Sequence, residues 1–129
     1  MDLRTQKRLD EIGTRFIRGT VDQLAGLQSL AARIHEGDPA GLAELESLTH
    51  QLYGSAAMFR FEAVSAKAGK INALLKSVEA DPATWNLPLL DSLLTDLSDA
   101  VHDAAASRRR RSSDNRLEWP DQSRDAQGT

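Results

Sequence analysis

Along four separate stretches of this chain, apolar residues recur at steps of three and four, and that spacing leaves few folds open. From about residue 9 to 36 the stripe is Ile12, Phe16, Ile17, Val21, Leu24, Leu27, Ala31 and Ile34, which together line one face of an α-helix. Gly37-Asp38-Pro39 then supplies a C-terminal cap, an N-cap and a first helical position in succession. A second stripe, Leu42, Leu45, Leu48, Leu52, Ala56 and Phe59, belongs to a helix reaching about Met58. The third takes Phe61, Val64, Ala68, Ile71, Leu75 and Val78 and stops at Asp81-Pro82, because the residue before a proline is pushed out of helical geometry. Leu90, Leu94, Leu97, Val101 and Ala104 mark the last. No alternating strand pattern or Asn-Gly hairpin signal competes with these helices. The chain is predicted to be all-α, an antiparallel four-helix bundle with a short N-terminal helical extension.

With 129 residues there is room for one core and no second sizeable one. Residues 1–106 are assigned to the bundle. From 107 to 129 the apolar stripe ends, and Arg108 to Arg111 lead into Ser, Asp, Asn, Gln and Gly with little that is apolar beyond Leu117 and Trp119. Such a segment buries too little surface to offset its ordering entropy, so a disordered basic and polar tail is expected. The four arginines would sit favourably at the negative end of the last helix dipole.

Cysteine is absent, which excludes disulfides, thiolate nucleophiles and thiolate metal sites. The N-terminal residues are charged from Asp2 onward and lack a signal-peptide core. No apolar run approaches the roughly 20 residues that span a bilayer. A net charge of −3 gives no general attraction to nucleic acid or acidic lipid. These features lead to the expectation of a cytoplasmic monomer with neither a nucleic-acid nor a membrane partner.

The chemistry is placed on the second helix. At about 100° per residue its apolar positions share a narrow arc, and His50 falls roughly 160° from the centre of that arc. The imidazole is therefore expected to face solvent. Gly54 lies one turn further on the same side, where a glycine costs about 0.5–1 kcal/mol relative to alanine. The missing side chain would open access to His50 for a bulky reaction partner. A neutral imidazole nitrogen is nucleophilic near neutral pH, so an exposed histidine with cleared space beside it suits in-line attack on phosphorus. His35 and His102 have no such context and are read as structural or merely exposed.

Thr49-His50-Gln51-Leu52-Tyr53-Gly54-Ser55-Ala56 resembles the signature of the histidine-containing phosphotransfer (HPt) family, His-x-Leu-Lys-Gly-Ser-Ala. Phe16-Ile17 and Gly37-Asp38 match its surroundings, and the likeness covers roughly residues 10–105. It implies a four-helix bundle with His50 as phosphoacceptor, exchanging a phosphoryl group with an aspartate of a response-regulator receiver domain or a hybrid kinase. It further implies that Asn72 orients the imidazole and that Lys76 occupies the family's basic position, the alternative for both being plain helix surface. Tyr53 stands where the family has lysine and is read as the rim of the site. Arg60 stands where the family has glycine. No cofactor is implied on this chain, with Mg²⁺ expected on the receiver.

Other chemistries find no foothold. The three histidines lack metal-ligand spacing, and Ala68-Gly69-Lys70 lacks the upstream glycine and following Ser/Thr of a phosphate loop. Without a nucleotide site the chain is read as a phosphoryl carrier and not an autonomous enzyme. The rival reading is a non-phosphorylated helical adaptor that binds a receiver or kinase.

Overall fold

The computed structural model describes residues 2–128, with the side chains of Pro39, Thr84 and residues 111–128 outside that description. Four α-helices follow one another: α1 (Leu3–His35), α2 (Pro39–Met58), α3 (Glu62–Ala80) and α4 (Leu87–Gly128), with a 3₁₀ turn at Pro82–Thr84 before α4. Among the described residues there is no strand, in agreement with the all-α expectation. The helical extension is present as the first turns of α1, where the Asp2 carboxylate accepts from the Thr5 N–H at 2.7 Å and so satisfies one of the orphan donors of a helix start.

The turns have specific causes. Gly37 adopts φ +86°, and the N–H groups of Gly37 and Asp38 bond back to the carbonyls of Ile34 and Arg33. This is the 5→2, 6→1 pairing of a Schellman end. Asp38 then caps α2 by accepting from the Ala40 N–H, while Arg33 grips its carboxylate at 2.8 and 3.0 Å. That guanidinium, with the Ala40 N–H, holds the Asp38 carboxyl below its usual range. The α2–α3 turn repeats the pattern with a different residue. Arg60 and Phe61 bond back to Ala57 and Ala56, and Arg60 sits at φ +64°, where a side chain costs about 1–2 kcal/mol.

Ile17, Leu45, Ile71, Leu75, Leu90, Leu97 and Val101 are fully buried in one core. The outcome departs from the sequence pattern at Ile12, which is 42% exposed, because the start of α1 is less covered by its neighbours than the rest of the helix. α1 and α4 run antiparallel: His35 at the end of α1 meets Asp91 near the start of α4 at 3.1 Å, and Asp10 meets Arg108 at the far end. Arg108 also places its guanidinium 4.9 Å from the Phe61 ring centroid and donates to the Asp10 carbonyl. The first arginine of the basic run is thus a packing residue, and it does not belong to a solvated tail. The remainder of the expected tail, from 111 on, falls outside the described side chains.

Candidate functional site

α2 and α3 form a helical hairpin pinned by side chains that reach the opposite backbone. The Ser65 hydroxyl donates to the Tyr53 carbonyl at 3.0 Å. The Asn72 amide donates to the Glu46 carbonyl at 3.0 Å and approaches the Thr49 hydroxyl at 3.4 Å. Thr49 is buried, with its hydroxyl bonded to the Leu45 and Glu46 carbonyls. The residue after it, His50, is turned outward and exposed. Burial of Thr49 therefore fixes the face on which the imidazole emerges, because successive helical residues are rotated by about 100°.

Gly54, one turn beyond, has nothing within 4 Å of where a Cβ would stand. It is not a packing glycine. The space above Gly54 is open. Lys76 is also exposed, and both it and His50 lie close enough to act on the Glu46 carboxyl electrostatically. The hairpin thus brings His50, Gly54 and Lys76 to one face.

Asn72 takes a different part from the one the family likeness implied. It is only 8% exposed, and its amide donates to the Glu46 carbonyl and approaches the Thr49 hydroxyl on the turn that carries His50. The physical reason is proximity: α3 packs so close to α2 that the nearest acceptor for a buried amide is the Glu46 carbonyl. Asn72 braces the helix under the histidine.

Two features of this face were missed in the sequence. Tyr53 is 49% exposed, but one edge of its ring lies against Gly69: a Cβ added there would stand 2.8 and 2.9 Å from ring carbons Cδ2 and Cε2. Gly69 makes the seat for the aromatic that replaces the family's lysine. A glycine in mid-helix was the available signal. The second is Glu46, one turn before His50. A hydrogen bond with Glu79, then burial, then the Glu79 charge hold the Glu46 carboxyl above its usual range, while Lys76 and His50 act in the opposite direction. Glu46 stands four residues before His50, on the same helix face, a spacing legible in advance. Glu79 could be placed only once the hairpin register was known. Among the described residues no cluster of three or more His, Cys, Asp or Glu could hold a metal ion.

An all-helical bundle with an outward imidazole on a braced helical hairpin defines a histidine-displaying module. Over residues 11–106 the sequence matches the Hpt domain, and the chain belongs to that family. Comparisons with curated proteins and with solved structures give no significant match. Membership in the family carries a role as an intermediate in phosphorelay, with receiver domains or kinases as the interacting class. No described helix is long and apolar enough to cross a membrane.

Proposed function

We propose that His50 accepts a phosphoryl group from an aspartyl phosphate of a response-regulator receiver domain and can return it. The observation that carries this reading is the pairing of an exposed His50 with an unobstructed Gly54 on a face braced from beneath. A lone pair on a neutral ring nitrogen attacks phosphorus and an N–P bond forms. The P–O bond to the aspartate breaks, and the carboxylate leaves with its electron pair. Mg²⁺ is held by the receiver's acidic site. This chain supplies a nucleophile, a docking face and the Lys76 cation, and acts as a carrier.

The deciding experiment is incubation with a receiver domain phosphorylated on its aspartate, followed by mapping of acid-labile, base-stable phosphate. Label on His50 supports the reading. Label on His35 or His102 overturns it.

The adaptor reading draws on the same face. Tyr53 brings no positive charge, and the Glu46–Glu79 pair opposes an arriving phosphoryl dianion. Stable receiver binding with no phosphate transferred to the chain would favour it.

A further inference from the structure

On the other flank of the hairpin, α3 and α4 enclose an open groove of about 500 Å³. Its floor is apolar, from Phe61, Val64, Ala100 and Ala104. Its α4 rim carries Asp96, Asp99 and Asp103, which steps of three and four place within about 60° on one ridge. Glu62 adds a fourth carboxylate, and Lys67 is the one lining residue that is basic among the described residues. None of the four carboxylates enters an ion pair among the described residues. Lys67 lies roughly 170° round α3 from the Ser65–Gly69–Asn72 line that meets α2. The groove is therefore separate from the His50 face.

We propose that this groove receives a basic amphipathic helix of a partner protein. Two arguments fix that chemistry. An apolar floor bordered by unpaired carboxylates complements a segment that is apolar on one side and cationic on the other. The seven steps from Asp96 to Asp103 rise about 10 Å, so cations at i, i+3 or i+4, and i+7 of a docked helix meet the ridge in register. Because the two faces are separate, a receiver docked at His50 and a basic segment on α3–α4 can be bound together. The inference does not depend on phosphoryl transfer.

The probe is a fluorescein-labelled 18-residue peptide of Leu, Ala and Arg with arginines on one helical stripe, titrated against the full chain by anisotropy. Salt should weaken its binding, and Asp99→Lys with Asp103→Lys should reduce affinity about tenfold or more. His50→Gln should leave affinity unchanged. Amide shift changes should centre on Phe61, Val64 and Ala100. Helicity by circular dichroism verifies that the doubly substituted chain is folded, as expected for exposed positions.

Equal affinity for the doubly substituted chain overturns the proposal. So does equal affinity for a scrambled peptide of the same composition, or a shift pattern centred on α2. A parent dimer that Asp99→Lys dissolves in sedimentation would assign the groove to a second copy and overturn it as well.

Discussion

The two helix pairs of this bundle are closed in opposite ways. The long α1–α4 pair ends in charged contacts, with His35 against Asp91 at one end and Arg108 against Asp10 and Phe61 at the other. In the α2–α3 hairpin, by contrast, the polar groups are turned inward onto the backbone through Ser65 and Asn72, and the outer face is left uncommitted. Each pair carries an exposed histidine. His35 is occupied by a carboxylate, whereas His50 stands beside an empty glycine. Surroundings, more than residue type, separate a histidine that closes a structure from one available for chemistry.

The sharpest way to break this contrast is to remove each imidazole in turn. His50→Gln should abolish phosphate acceptance from a receiver while leaving the melting temperature nearly unchanged, and His35→Gln should leave acceptance intact. Transfer that survives the first change or fails with the second would erase the distinction. Gly54→Leu comes next. The chain should stay folded, because the position is open, yet transfer should slow about a hundredfold as the approach of the partner is misplaced, as read by the rate of label transfer.

The structural side of the comparison predicts smaller effects. Arg108→Ala removes a mostly buried guanidinium, 14% exposed, from Phe61 and the Asp10 carbonyl. Urea unfolding should show a loss of about 1–2 kcal/mol, and no loss would return Arg108 to the solvated tail. Arg60→Gly should relieve a left-handed penalty of about 1–2 kcal/mol, offset by about 0.5–1 kcal/mol of added unfolded-state entropy. The net gain, no more than about 1.5 kcal/mol, is measurable in the same titration.

Smallest is Glu46→Gln. Glu46 has a raised carboxyl pKa in the fold, so its favourable contribution is present below the ordinary glutamate range and is lost as pH rises. The glutamine variant should therefore melt roughly one or two degrees above the parent at pH 7, about the limit for a partly exposed pair. That advantage should vanish near pH 4. A pH-independent difference would disconnect Glu46 from Glu79.

Much of this was legible in the sequence. The periodic stripes located all four helices, and Gly37-Asp38-Pro39 located the first turn, because caps and apolar spacing are local signals. His50 and Gly54 were legible for the same reason, since a helix phase needs only neighbours. Relations across helices were harder to read. The two acceptors of Asn72 depend on how closely α3 packs on α2. The seat of Tyr53 on Gly69 and the hydrogen-bonded approach of Glu79 to Glu46 likewise require the register of the hairpin. Arg108 looked like one of four equivalent charges until α1 and Phe61 were placed beside it.

The pins of the hairpin have a consequence for how such a protein signals. The Ser65–Tyr53 and Asn72–Glu46 bonds join α2 and α3 about two turns apart. Sliding one helix past the other by a single turn, about 5.4 Å, would break both at once and leave buried polar groups without partners. One-turn ratcheting is therefore a costly motion for this pair. A phosphoryl group arriving on His50 would be written on a stiff plate, and a partner would read the mark itself, with no change of shape behind it.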